Sequence, residues 1–204
     1  MKRLPIIALI LLAAVSCSKN PTQTPAAAGG NASEDLANGW AAFSNGYFSQ
    51  AQPYFESAIG EDASLADAYN GKGWCQGILR QPAAALASFR AGLTQPGSNN
   101  EIKAGLAFAY AALDSPAQAA TRAQEVLAAD SLWRFSHTYR ASQDAVLDYR
   151  ELRLLLAQTC FKQGQFAAAL AWVQKLNPSF TADVGTATGQ AALQAEIEWL
   201  ATIF

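Results

Sequence analysis

Residues 39–58 read GWAAFSNGYFSQAQPYFESA, and residues 73–92 read GWCQGILRQPAAALASFRAG. Laid one over the other, they pair Gly39-Trp40 with Gly73-Trp74, Ala51 with Ala85, Phe55 with Phe89 and Ala58 with Gly92, always 34 residues apart. A further step of 34 reaches Ala107-Phe108, then Pro116, Ala119, Ala123 and Val126. A step of 50 then reaches Ala157-Gln158, Phe166, Ala169, Val173 and Leu176, so the register recurs four times with one insertion of 16 residues. Each unit carries a small residue in its first half (Gly39, Gly73, Ala107, Ala157) and another in its second (Ala51, Ala85, Ala119, Ala169). Gly46 and Gly164 sit where the chain must turn, and glycine accepts the left-handed conformation of a helix end. Pro82 and Pro116 fall in the first turn of the second helix, where a missing N–H costs nothing.

A 34-residue period with this order of small and aromatic residues resembles the tetratricopeptide repeat (TPR) over about residues 32–183. The resemblance implies an all-α fold, a right-handed α-solenoid of about four helix-turn-helix repeats. They would occupy residues 32–65, 66–99, 100–133 and 150–183, with an insertion at 134–149. The chain departs from the family where Asp35, Tyr69, Lys103 and Arg153 replace its early Trp, and its later Tyr survives only as Tyr110. The third repeat has Ala123 in place of the second-helix aromatic. The insertion, with Phe135, His137 and Tyr139, reads as an extended crossover or an extra helical turn lying on the repeats. Its end, Ala145-Val146-Leu147, can start the following helix early. Residues 184–204 carry Ala192, Leu193, Ile197, Leu200 and Ile203 at helical spacing and read as a C-terminal capping helix, with Trp199 and Phe204 in its packing.

Composition narrows what such a stack does. Of 204 residues, 51% are hydrophobic and 15% charged, which suits a chain that buries its own core. Fourteen basic residues against 16 acidic ones leave a net charge of −2, with no basic patch for a phosphate backbone, so no nucleic-acid partner is expected. Residues 1–16 read as a signal peptide: Lys2 and Arg3, then an uncharged run from Leu4 to Val15. As a helix that run covers roughly 18 Å of a roughly 30 Å hydrocarbon core. Ala14-Val15-Ser16-Cys17 resembles the lipobox of bacterial lipoproteins, with Ala14 where that family most often has Leu. The resemblance implies acylation of Cys17, a stable lipid anchor and, since Ser18 rather than Asp follows, an outer-membrane address on the periplasmic face. Residues 17–31 then form a flexible tether of roughly 20 Å.

Chemistry that would make an enzyme is sparse. His137 is the single histidine, and no His-Glu-x-x-His, Cys-x-x-Cys or phosphate-binding loop occurs, so no metal, cofactor or catalytic residue is expected. His137 reads as structural. Gly71-Lys72-Gly73 lies inside a helix and reads as packing, and Glu61-Asp62 as a solvated turn. Cys75 and Cys160 lie on first helices two repeats apart, about 20 Å, well beyond the ~7 Å a disulfide allows, and are expected as buried free thiols.

What remains is the concave surface, which the family lines with first helices. Its inward positions correspond here to Ser33, Leu36, Trp40 and Phe43; Asp67, Asn70, Trp74 and Ile78; Glu101, Ala104, Phe108 and Ala112; Glu151, Leu154, Gln158 and Phe161. The candidate protein-binding residues are Leu36, Trp40, Phe43, Asn70, Trp74, Ile78, Phe108, Leu154, Gln158 and Phe161, a groove aromatic along its centre and acidic along one margin. Such a groove suits an extended peptide or helix with apolar side chains. Trp40 and Trp74 equally suit wedges between adjacent repeats. The expected function is a membrane-anchored interaction scaffold. Two alternatives remain: a glycan- or small-ligand-binding accessory using exposed Trp rings, and an enzyme built on Glu101 or Glu151 if either is deeply set with a raised pKa.

Overall fold

The computed structural model describes residues 31–137 and 147–204. The expectations for the signal peptide, Cys17 and nearly all of the tether fall outside them. The described residues form helices α1 (Ala32–Ser44), α2 (Phe48–Glu61), α3 (Ala66–Ile78), α4 (Pro82–Leu93), α5 (Asn100–Ala112), α6 (Pro116–Ala129), α7 (Tyr149–Lys162), α8 (Phe166–Gln174) and α9 (Ala187–Ile203). Each helix packs on the next from α1 to α8, and first helices of successive repeats also meet, α1 with α3, α3 with α5 and α5 with α7. Pro82 and Pro116 open α4 and α6. The turns inside the four hairpins hold one left-handed residue each at the same register: Gly46 (φ 80°), Arg80 (φ 61°), Asp114 (φ 56°) and Gly164 (φ 73°).

What locks the first repeats together is a ring in a slot. A Cβ placed on Gly39 would lie 2.7 Å from Phe55, and one on Gly71 would lie 2.3 Å from it. Phe55 of α2 is thus gripped between α1 of its own repeat and α3 of the next. Phe89 repeats the device one unit on, with Gly73 at 2.6 Å and Gly105 at 2.3 Å. At the third junction the sizes are exchanged. Ala123 stands where the ring would be, and Leu155 stands on α7 in the register of Gly71 and Gly105; both are fully buried in one cluster.

Helix α7 divides the core. Its Leu152, Leu155 and Leu156 belong to the cluster running back through α1–α6, whereas Leu154, Ala157 and Cys160 belong to a second cluster closed by Leu193, Ile197 and Leu200 of α9. Cys75 and Cys160 are buried and unpaired. Burial pushes the Cys75 thiol up to about 12 and raises that of Cys160.

Two details differ from the sequence reading. Of the α9 residues read as packing, Leu193, Ile197 and Leu200 are buried, whereas Trp199 and Ile203 are each 52% exposed; Phe204 is half-buried, with the Arg150 guanidinium 5.2 Å over its ring. Helix α7 begins at Tyr149, and Leu147 stays outside it. Asp148 caps the helix, accepting the Arg150 N–H, while Glu151 accepts the Asp148 N–H, a reciprocal box that fixes the first turn. Ala145 and Val146 lie outside the described residues.

Candidate protein-binding groove

The candidate groove residues of the first three repeats lie on α1, α3 and α5. Asp67, Glu101 and Glu151 occupy the same register in α3, α5 and α7, where an N-terminal helix turn favours a negative side chain. Each carboxylate has a different task. Asp67 Oδ2 accepts the Trp40 indole N–H at 2.9 Å, tying one repeat to the next. Glu101 is held in place by the Asn99 cap, whose side chain accepts the Glu101 and Ile102 N–H groups at 3.0 and 3.2 Å. Its Oε2 accepts from Asn70 Nδ2 at 2.9 Å, and Asn70 also reaches Asp67 Oδ1 at 3.3 Å. Glu151 closes the α7 capping box. Burial pushes its carboxyl up to about 7, with the nearby Asp148 adding to the rise, while Asp148 itself is held low by Arg150 despite its own burial.

The result is a polar line across three repeats, Trp40–Asp67–Asn70–Glu101, along a floor of aromatic rings. Trp40 makes edge contacts with Phe43 (5.3 Å between centroids) and Phe55 (5.0 Å); Trp74 does so with Phe89 (5.5 Å) and leans on Phe108 (6.1 Å). Both indoles are 8% exposed.

The described residues of the insertion, read from the sequence as an extended crossover or an extra helical turn lying on the repeats, reach these rings. Arg134 and Asp148 form an antiparallel bridge, with the Phe135 N–H donated to the Leu147 carbonyl (2.9 Å) and the Tyr149 N–H to that of Trp133 (2.8 Å). Beyond the bridge, Phe135 sits over Trp74 at 4.7 Å, with Phe43 at 6.0 Å and Trp40 at 6.4 Å. The Ser136 N–H is donated to Glu101 Oε1 at 2.7 Å. His137, half-buried, lies flat on Trp40, 3.4 Å between centroids and 4° between planes.

Of the ten candidate residues, the structure gathers Trp40, Phe43, Asn70, Trp74 and Phe108 around this segment, with Leu36 and Ile78 half-buried against the same cluster. Leu154 and Phe161 belong to the other cluster, and Gln158 is buried on α7. Trp40 packs on Phe55 and bonds to Asp67 of the next repeat, and Trp74 packs on Phe89 and against Phe108 of the next, contacts that suit a wedge between repeats. Sequence reasoning missed Phe135, Ser136 and His137 as groove components. Their aperiodic segment carries no spacing rule, and the available signal was the two rings at i and i+2. Among the described residues no cluster of His, Cys, Asp and Glu is arranged to hold a metal.

No protein-family model matches the sequence, and neither does any curated protein. Solved structures do resemble the chain. YrrB, described as a TPR protein with an unusual peptide-binding site, superposes with a TM-score of 0.61 at 16% identity, over 81% of this chain and 84% of that one. MamA gives a TM-score of 0.61 at 15% identity, over 83% and 87%, and PilW, a type IV pilus biogenesis factor, 0.55 at 19%, over 82% and 77%. With helix-turn-helix units stacked side by side and solved TPR proteins as neighbours, the chain has the right-handed α-solenoid fold of the TPR type.

Proposed function

We propose that the protein is a lipid-anchored interaction scaffold, held by acylated Cys17 at the periplasmic face of the outer membrane, binding protein partners through its concave groove and serving envelope assembly. The observation that carries the groove reading is the reception of the chain from Phe135 to His137 by ring contacts and by a buried carboxylate that accepts a backbone N–H. A surface that accepts main chain as well as side chains suits polypeptide ligands. The neighbour described as having a peptide-binding site and the neighbour in pilus biogenesis are consistent with such a role. The lipobox-like Ala14-Val15-Ser16-Cys17 supports the anchor, which would raise the local concentration of captured partners.

A sugar-binding role fits less well, since the Trp40 and Trp74 faces it would need are covered by His137 and Phe135. A catalytic role also finds little support: Glu101 serves Asn70 and Ser136, and the raised Glu151 serves a helix cap. Photo-crosslinking residues placed at Ile78 and Phe108 in cells should trap a discrete protein, whereas exposed Ala87 on α4 should not. Crosslinks from Ala87 alone would remove the groove from the proposal. Mass spectrometry of the mature N-terminus tests the anchor, and an unmodified Cys17 would remove it.

A further inference from the structure

We infer that Phe135-Ser136-His137 is an internal stand-in for the groove's ligand. The groove takes an extended peptide with an aromatic side chain, a following residue with a free backbone N–H, and a second planar ring, in competition with that segment. This rests on the groove reading above and goes beyond it by naming the ligand chemistry and its competitor.

Three contacts define the recognition pattern, made in turn by Phe135, Ser136 and His137 where the chain bends at Ser136. The ring of Phe135 meets aromatic residues of two successive repeats, Trp40 and Phe43 on α1 and Trp74 on α3. The next residue offers its main-chain N–H to Glu101 of a third repeat. The residue after that returns to the groove and stacks on Trp40. Main-chain contact between two ring contacts is how an extended ligand is read. Asp67 and Glu101 beside these sites favour a ligand that is neutral or basic there.

The internal segment fills this pattern incompletely. The Trp40 N–H is satisfied by Asp67, and the same register assigns Glu101 to Trp74. Glu101 instead faces Asn70 and Ser136, and the buried Trp74 Nε1 and Asn70 Oδ1 have no partner among the described residues. A peptide in trans can bring a carbonyl to the Trp74 indole and an N–H to the Asn70 carbonyl, contacts the resident segment does not make. The resident segment meanwhile lowers apparent affinity for any competitor by the fraction of molecules it occupies.

The probe is a fluorescein-labelled, end-capped peptide Arg-Phe-Ser-His, titrated into the full folded chain and followed by anisotropy. A Phe135→Gly, His137→Gly double variant, which vacates both ring positions, should bind it at least about tenfold more tightly than the native chain. Adding Glu101→Gln to that variant should weaken binding again, and a probe with Ala for Phe should not bind. Equal affinity for native and double variant, or no saturable binding to a double variant with native circular dichroism, overturns the inference. Should the double variant unfold, NMR of the native chain decides. Millimolar probe must shift the Trp74 indole resonance and speed exchange of the Ser136 amide, and an unmoved Trp74 signal overturns the proposal. A partner still trapped at Phe108 in that case leaves the scaffold reading standing while removing this ligand class. Absence of crosslinks from Ile78 and Phe108 strikes at the scaffold reading itself.

Discussion

At the scale of single residues, absence of a side chain matters as much as presence. Gly71 has room for hydrogen only, since a Cβ there would sit 2.3 Å from the ring of fully buried Phe55. Gly71→Ala should therefore cost about 2 to 3 kcal/mol by overpacking, measured by urea unfolding. Gly60, which has nothing within 4 Å, supplies the contrast: Gly60→Ala should be neutral or slightly stabilising. Arg80 is the opposite case. It is exposed and holds φ 61° where two sister turns use glycine, so Arg80→Gly should raise stability by about 0.5 to 1 kcal/mol, the left-handed strain relieved less the entropy glycine adds to the unfolded chain. Glu151 gives the fold a pH dependence. Its carboxyl, near 7 in the folded chain against 4.5 ordinarily, holds its proton more tightly when folded. The stability it contributes is complete below about pH 4.5 and lost as pH rises through about 7. Thermal unfolding should show a loss on the order of 3 kcal/mol across that window. Glu151→Gln, which keeps an acceptor for the Asp148 N–H, should remove the slope.

At the scale of elements, the helices follow from local rules, but what each turns inward does not always. The 34-residue period, the Pro residues opening α4 and α6 and the turn glycines made the hairpins legible. Of the second glycines of the slots, Gly71 is read from the sequence only as packing within Gly71-Lys72-Gly73 and Gly105 is not singled out, because a helical glycine gives no hint of which ring it must admit. Helix α9 shows the limit. Leu193, Ile197 and Leu200 form one apolar stripe, and Ala195, Trp199 and Ile203 form another beside it. At 3.6 residues per turn the two stripes lie roughly 130° apart, and contact with α7 and α8 buries the first and leaves Trp199 and Ile203 of the second exposed. The same contact makes α9 indispensable. Truncation after Asp183 should bare Leu154, Ala157 and Val173, and such a chain should unfold at lower temperature and bind a dye specific for exposed apolar surface.

At the scale of the whole molecule, the groove was only half legible. Its helical wall followed from the repeat register, while Phe135, Ser136 and His137 arrive from the one stretch where register is interrupted, and no periodicity reaches them. Among the described residues few ion pairs bind distant parts together: Lys72–Glu56 at 3.2 Å joins the first two repeats and Lys162–Asp114 the last two. Their carboxylates are at least half as open as a free side chain or nearly so, at 45% and 71%, which makes salt a weak lever on the fold. The load is carried by apolar packing, and that packing is in two compartments with α7 as their party wall. A chain pulled from both ends should for this reason yield in two force steps. The compartment at the Phe204 end gives way first, leaving the aromatic half of the molecule, with its groove, still bearing tension.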